Sequence, residues 1–314
     1  MRPLMPWRPM LAVVGVFSVV TAIVFGLARA EPFLMIFWYF VLLYSIYSIS
    51  WNIAGGLTNL FSLGHAMFFG TSAMAFAHLV RFTGNPMLSI ALAALAGSVL
   101  VVPLIPALRL RGPFFMLSTY ALSVAVYFVT LNTDWFSGGG SGIVLRIDPA
   151  YTREVVVLIA LVILSIASIT FVRLKRSYLG MAMMAIRDDE EAAESLGIPV
   201  SKVKLVSLVL SALFAGLAGA LHALWLSYVH VDAFNSTSVS LLGPVITLLG
   251  GKALLVGSLI GGLTNAVIYF YFTAGLGEAT LLFYGALLAL VLLVEPDGLA
   301  STLRRLTRSE IFSI

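Results

Sequence analysis

The chain has 314 residues, of which 61% are hydrophobic and only 10% are charged. Soluble domains carry about 25% charged residues, and a water-soluble fold of this size could not cover so much apolar surface. The apolar runs are continuous, which excludes the alternating pattern of a transmembrane β-barrel. The absence of cysteine excludes disulfides and thiol chemistry. A net charge of +4 suits a membrane protein with Lys and Arg on its cytoplasmic side, and nothing indicates nucleic-acid binding.

Ten apolar segments are predicted to be helices that cross or partly re-enter the membrane, because about 20 apolar residues span a bilayer core. They are residues 10–28, 33–51, 60–80, 87–108, 113–131, 154–172, 203–227, 239–250, 253–273 and 279–295. The sequence therefore predicts an all-α polytopic membrane protein. The segment 239–250 is too short to cross as a straight helix. The first segment ends in Ala28-Arg29-Ala30, which also fits a signal peptide, but its length favours a retained helix.

The basic residues predict that both chain termini lie in the cytoplasm, because most Lys and Arg then fall on the inner side. Those inside would be Arg109, Arg111, Arg173, Lys175, Arg176, Lys202, Lys204 and Lys252. The predicted domains are an N-terminal tip with the first span (1–31), a transmembrane domain (32–300) and a cytoplasmic tail (301–314).

Two halves of five spans would form an inverted repeat. In that arrangement the glycine-rich segments 55–70 and 241–251 would be equivalent, at positions where transporter pathways are often built. The alternative is that both are ordinary glycine-rich packing helices.

Residues 173–204 form a charged loop between two apolar spans. Asp188 is predicted to cap a short helix, with Glu191 three residues later as in a capping box. Ala192, Ala193 and Leu196 would form the apolar side of this helix, and Gly197 would end it. A helix of about two turns is not stable alone, and its acidity disfavours a resting place on anionic headgroups. We therefore predict that it docks on a soluble partner.

The same loop carries a resemblance to a known family. Glu191-Ala192-Ala193, with Gly197 six positions after the Glu, resembles the EAA loop of ABC-importer permeases, which couples to the ATP-binding subunit. Residues 52–79, 111–123, 176–200 and 281–299 resemble the LivM-type permeases of branched-chain amino-acid importers. The resemblance covers about residues 35 to 300 in the family's order. The connection 144–153 is shorter than the family pattern.

This resemblance implies a permease subunit without a cofactor and without its own ATPase activity. The implied partners are ATP-binding cassette subunits, a second homologous permease and a periplasmic or extracellular solute-binding protein. The implied location is the bacterial plasma (inner) membrane, with the lipid bilayer around the spans. The implied solute is a branched-chain or other apolar amino acid. Similar permeases carry urea, short amides or aromatic acids, which stay open as alternatives.

Three groups of residues are candidates for function. The group that would couple to the ATPase is Arg187, Asp188, Asp189, Glu190, Glu191, Ala192, Ala193 and Gly197. The candidates for the translocation pathway are Gly64, His65, Phe68, Phe69 and Gly70, although a neutral His65 could instead bond a neighbouring backbone carbonyl. The outer loop Gly138, Gly139, Gly140, Ser141 and Gly142 is either a turn or a contact for the external binding protein.

The energy source is predicted from missing charges. No Asp, Glu, Lys or Arg lies between Glu31 and Arg81, or between Lys204 and Asp232. Ion-coupled carriers usually place such residues within their spans. An ATP-binding partner is therefore favoured over its rivals, a secondary carrier or channel that uses His65 and a non-transporting scaffold. The chain has no P-loop and no hydrolase motif, and its four histidines lack metal-ligand spacing.

Overall fold

The computed structural model describes residues 31–148, 150–234 and 238–273, together with the isolated positions 15, 279, 282, 285, 286 and 298–300. The predicted first and last spans and both chain ends lie almost wholly outside the described residues. The described part is helical apart from loops and one short antiparallel ladder. The predicted all-α polytopic class is therefore confirmed.

The helices begin and end close to the predicted boundaries. They are α1 (Pro32–Trp51), α2 (His65–Thr83), α3 (Pro86–Ser98), α4 (Pro113–Leu131), α5 (Asp134–Ser137), α6 (Arg153–Arg176), α7 (Tyr178–Asp188), α8 (Glu190–Ser195), α9 (Val200–Leu226), α10 (Ser238–Gly250) and α11 (Leu255–Val267). Wider π-helical turns extend α1 (Asn52–Gly56) and α11 (Ile268–Thr273), and 3₁₀ turns cover Val99–Leu104, Pro106–Arg109, Gly139–Ser141 and Val231–Phe234. Strand β1 (Ile143–Val144) pairs antiparallel with β2 (Tyr228–Val229).

Local sequence explains several of these boundaries. Pro113 and Pro86 each stand at the first position of a helix, where the missing N–H costs nothing and the fixed φ suits the helix. The side chain of Asn85 caps α3 by accepting from the backbone N–H groups of Met87 and Leu88. Gly84 ends α2 in the left-handed conformation.

Helix α9 is the centre of the bundle and packs against α1, α2 and α3. Its glycines allow close approach. A Cβ at Gly219 would collide with the backbone of Phe69 in α2, and one at Gly216 would meet Ser72 and Ala94. Small residues let helices approach closely where lipid supplies no hydrophobic drive for association. The bundle is therefore assembled around a helix that contacts its neighbours through small residues.

Five helical stretches in the described part are long and apolar enough to cross a membrane: Pro32–Gly56, Pro86–Leu104, Pro113–Leu131, Arg153–Arg176 and Val200–Leu226. A sixth candidate is the pair Val239–Gly250 and Leu255–Tyr271, which is bent by 116° and is either one broken span or a re-entrant loop. The short predicted segment 239–250 is thus one arm of a bend.

The predicted span 60–80 differs from the structure at its start. Helix α2 begins only at His65, and it is not among the candidate spans. Residues 57–64 leave the helix because Asn59 adopts a positive φ of 56° and the Trp51 indole N–H donates to the Ser62 carbonyl, at 2.9 Å. Backbone of this kind is tolerated at membrane depth only when protein surrounds it.

The two interruptions meet at Asn52. Its amide oxygen accepts from the Ala253 N–H at 2.7 Å, and its amide nitrogen donates to the Leu254 carbonyl at 3.0 Å and the Ser258 hydroxyl at 2.9 Å. The break between α10 and α11 is therefore satisfied by the turn that ends α1. This contact joins residues that directly flank the two glycine-rich segments, while the equivalence of these segments as inverted repeats stays a prediction.

The bundle has two chemically different ends. At one, here called the loop end, α7 and α8 lie beside residues 108–112, and the Lys175 ammonium donates to the Ala253 carbonyl at 2.9 Å. At the other, the hairpin end, the Arg81 guanidinium donates to the Val144 carbonyl at 2.9 Å and Arg153 lies over the Trp225 ring. Which end faces the cytoplasm stays a prediction.

Candidate functional site

Helix α8 at the loop end begins one residue later than predicted. Asp189, not Asp188, is its N-cap, and the Asp189 carboxylate accepts from the N–H groups of Glu191 at 2.9 Å and Ala192 at 3.0 Å. The prediction of Asp188 was wrong because α7 continues through that residue, and a cap requires extended backbone such as Asp189 has. Asp188 instead pairs with Arg187 at 2.8 Å.

The predicted apolar side of α8 is divided between the bundle and the surface. Ala193 is buried against the bundle, whereas Ala192 is exposed and Leu196 is 80% exposed. Gly197 follows with φ +83°, so the chain turns back through Ile198, whose N–H donates to the Ala193 carbonyl. An exposed leucine at the tip of an acidic helix gives this surface an apolar contact point.

Two acidic side chains of α8 are anchored within the chain. Glu190 pairs at 2.7 Å with Lys204 of α9, whose side chain is only 3% exposed. Glu191 pairs at 2.5 Å with Arg111, which precedes α4. The hydrogen bond to Glu191, and the nearby Glu190 carboxylate, raise the pKa of the Arg111 guanidinium above its usual value. The helix is therefore connected to two spans as well as to its own loop.

Sequence reasoning missed Arg111 and Lys204 as partners of α8. Lys204 lies one turn inside α9 between Val203 and Leu205, and a charge in that apolar setting is the signal that could have found it. Its ammonium also lies 3.5 Å from the Leu108 carbonyl. A polar cavity of about 220 Å³ lies beneath α8, between residues 58–61 and 110–112.

The predicted pathway residues have different surroundings, and their role in translocation stays a prediction. Gly64 is the N-cap residue of α2, and a Cβ there would meet the backbone of Thr119. Phe68 is fully buried, and Gly70 lies against the Phe234 ring. Phe69 lines the cavity at the hairpin end that is described below.

His65 lies in the packed interior beside the helix breaks. It is fully buried, and its Nε2 lies 2.7 Å from the hydroxyl of Ser211 in α9. That hydroxyl donates to the Ser50 carbonyl at 2.7 Å, and the Ser50 hydroxyl donates to the Ser211 carbonyl at 2.9 Å. His65 therefore bonds a side chain rather than the predicted backbone carbonyl, and its surroundings favour a packing role.

A larger cavity opens at the hairpin end. It has a volume of about 400 Å³ and lies among α1, α2, α9, α10 and the residues that follow β2. Its walls include Phe40, Tyr44, Tyr47, Phe69, Leu242 and Tyr269. We call it the aromatic cavity. Its volume lies within the range of about 300–1,000 Å³ for small-molecule sites, which are likewise mostly apolar.

The predicted outer loop is fixed to the wall of this cavity. Residues 138–142 lead into β1, which pairs with β2, and the Tyr228 hydroxyl donates to the Ser141 carbonyl at 2.9 Å. The Phe136 carbonyl, just before the loop, lies 2.7 Å from the Nε2 of His78. The loop is thus a turn held at both sides, next to residues that line the aromatic cavity.

Comparison with known proteins identifies the family. A family model described as branched-chain amino acid transport system / permease component matches residues 33–293. The chain belongs to this family. The permease LivM of the high-affinity branched-chain amino acid transport system of Escherichia coli strain K12 is 28% identical over 295 residues, which cover 82% of this chain and 68% of that protein.

Two further relatives extend the comparison. The LivM permease of Salmonella typhimurium is 27% identical, again covering 82% of this chain and 68% of its own length. A probable LivM permease of Methanocaldococcus jannaschii is 24% identical and covers 69% of this chain and 68% of that protein. No solved structure matches the chain. The resemblance to LivM-type permeases is confirmed, and the chain is a multi-pass membrane permease component.

Proposed function

We propose that this chain is the permease subunit of an ABC importer for branched-chain or other apolar amino acids, and that it has no ATPase activity of its own. The observation that carries the proposal is α8. It is an acidic helix followed by an exposed leucine, and Glu190 and Glu191 anchor it to the bundle. The relatives named above are permeases of branched-chain amino-acid transport, which supports the choice of solute.

The ATP-binding subunit would act on α8 and its flanks, residues 187–197. Because α8 is paired to Lys204 at the base of α9 and to Arg111 before α4, a displacement of α8 would be passed to both spans. Lys204, Ser207 and Ser211 are spaced along one face of α9. Ser207 bonds Ile53 and Thr58 within the interruption at residues 52–64, and Ser211 bonds Ser50 just before it. The push would therefore reach the interruption at residues 52–64. This is allosteric coupling only if the interruption has two arrangements.

Membership of the family supports a proposal for the remaining partners and the location. We propose a second, related permease, two ATP-binding cassette subunits and an external solute-binding protein that contacts the loop 138–142. The loop end would face the cytoplasm of a bacterial inner membrane, with both chain termini on that side, because most of the predicted inner basic residues lie near it. Residues 1–31, 32–300 and 301–314 would be the tip with a retained first span, the transmembrane domain and the tail.

The coupling role is tested by ATP-driven leucine uptake in liposomes that contain the complete complex. Leu196→Asp places a charge where an apolar contact is proposed, and Glu191→Lys places a cation beside Arg111. We expect both variants to insert into the membrane but to lose uptake and the stimulation of ATPase activity by the solute-loaded binding protein.

Phe82→Asp is the matched control, because Phe82 is 91% exposed at the hairpin end. It should leave uptake unchanged. Normal uptake by both loop-end variants would show that α8 is not the coupling element. Absence of ATP-dependent uptake by the unmodified complex would refute the importer itself.

A further inference from the structure

The aromatic cavity has a charge pattern that suits one class of ligand. Its described lining contains a single acidic side chain, Asp232, and no Lys or Arg. Asp232 stands at the rim, with 74% of its side chain exposed, and its Oδ2 lies 2.9 Å from the Nδ1 of His230. An exposed carboxylate attracts cations. One end of the cavity is therefore polar and negative.

Apart from His222 and His230, the remaining lining residues of the cavity are aliphatic or aromatic. They include Leu43, Phe69 and Leu242, with the rings of Phe40 and Tyr47. The Tyr47 hydroxyl is already used, since it donates to the Val239 carbonyl at 3.0 Å. The phenol therefore presents its ring rather than an open hydroxyl to the cavity. Such walls favour an aliphatic group and would leave a charged side chain among them without a partner.

The position of the cavity also fits a solute that arrives from outside. Leu226 lines the cavity at the last turn of α9, whereas Lys204 pairs with α8 near the first turn. At 1.5 Å per residue, roughly 33 Å of helix separates them. The cavity and the coupling helix are thus at opposite ends of the bundle. An importer requires this arrangement, because solute enters from outside and the ATP-binding subunit binds in the cytoplasm.

We propose that the aromatic cavity binds the transported α-amino acid, with its ammonium group at Asp232, its α-carboxylate at the water-accessible rim and its apolar side chain among the aromatic rings. The inference rests on the proposed importer function and adds a site within the permease itself. The site excludes acidic amino acids, because their side-chain carboxylate would enter walls whose described residues include no Lys or Arg. It also excludes N-acylated amino acids, which lack the ammonium group that Asp232 would hold.

The chain contains no cysteine, so one introduced thiol can be followed by the mass of this chain alone. Leu226→Cys places it in the cavity at a position that is 50% exposed, and Phe82→Cys places a control outside the cavity at the same end. A charged, membrane-impermeant methanethiosulfonate reagent is added from outside to the complete complex. ATP-driven leucine uptake is measured in parallel on the same samples.

We expect leucine, isoleucine and valine to slow labelling at Leu226→Cys several-fold and to leave labelling at Phe82→Cys unchanged. Glutamate and N-acetylleucine should protect neither thiol. In the Leu226→Cys background, the additional change Asp232→Asn should raise the leucine concentration needed for half-protection by roughly tenfold. The reason is that it replaces the carboxylate that would bind the ammonium group with a neutral amide.

Three results would overturn the proposal. Normal ATP-driven uptake with no effect of leucine on labelling would place the solute elsewhere, while the importer function would stand. Equal protection by N-acetylleucine would show that binding does not need an ammonium group at Asp232. A thiol at Leu226→Cys that the external reagent cannot reach would show that the cavity is filled, by lipid or by a partner chain, or does not open outward.

Discussion

The two ends of this bundle are stabilised by different kinds of contact. At the loop end, a six-residue helix is held by ion pairs to Lys204 and Arg111. At the hairpin end, a cavity is shaped by aromatic rings and by a backbone ladder. Ion pairs reach across a gap and tolerate small displacements, whereas packed rings fix a volume. The difference suggests that the loop end is built to move and the hairpin end to hold a shape.

The largest effect should come from the buried pair at the loop end. Glu190→Gln leaves the Lys204 ammonium, 3% exposed, with no countercharge at 2.7 Å. Removing one partner of a buried pair costs about 3 kcal/mol, so the free energy of unfolding in mixed micelles should fall by about that amount.

The matched variants are Lys204→Met and the double variant Glu190→Gln with Lys204→Met. An apolar replacement of the whole pair is often nearly neutral, so the double variant should be more stable than Glu190→Gln alone. If the double variant is as unstable as the sum of the two single variants, the pair does not act as a unit.

The next effect concerns the fixed volume at the hairpin end. A Cβ at Gly70 would lie 2.5 Å from the Phe234 ring, next to the wall of the aromatic cavity. Gly70→Ala should therefore lower the free energy of unfolding by about 1–3 kcal/mol through overpacking. Combining it with Phe234→Leu should return part of the loss. If Gly70→Ala is as stable as the unmodified protein, the packing at the hairpin end can also rearrange.

Two glycines allow a direct comparison of the ends. Gly197 after α8 and Gly84 after α2 have φ values of +83° and +65°, and a Cβ would meet nothing within 4 Å at either. Alanine at each should cost about 1–2 kcal/mol for the left-handed backbone alone. Only Gly197→Ala should also reduce ATP-driven uptake. Equal uptake by the two variants would contradict a special role for the turn after α8.

The smallest effect is expected at the exposed pair. Arg111 and Glu191 are 55% and 76% exposed, and ion pairs of this kind contribute little to stability because water and salt screen them. Glu191→Gln should leave the thermal unfolding midpoint within error, in low and in high salt. A clear salt-dependent loss would show that this pair, and not Glu190 with Lys204, holds α8.

Much of the fold could be predicted because single residues mark the helix ends. Pro113 opens α4 and the apolar run fixes its length, so the predicted 113–131 matches the helix. The same reasoning placed a short capped helix before Gly197. Asp188 and Asp189 are equally suitable N-cap residues by type, so the sequence does not distinguish them and Asp188 was the wrong prediction. Only the extended backbone of Asp189 identifies the cap.

What the sequence did not predict comes from long-range contacts. Glu190 and Glu191 of α8 pair with Lys204 and Arg111, and Arg111 is 80 positions away from Glu191. The predicted docking of α8 on a partner stays a prediction. The late start of α2 depends on a Trp51 hydrogen bond, and the break at residues 251–254 depends on Asn52, about 200 positions earlier. Local patterns hold no information about such pairs.

The sequence by itself determined that the chain is a helical membrane protein, where most helices lie, that a charged helix with an EAA-like pattern projects from them, and which family it resembles. These follow from hydrophobicity and local backbone preference, which act over a few residues. The tertiary structure decided which carboxylates are anchored, where the two helix breaks meet and that an aromatic cavity with one rim carboxylate exists. Those features require residues from distant helices to share one place, and only packing brings them together.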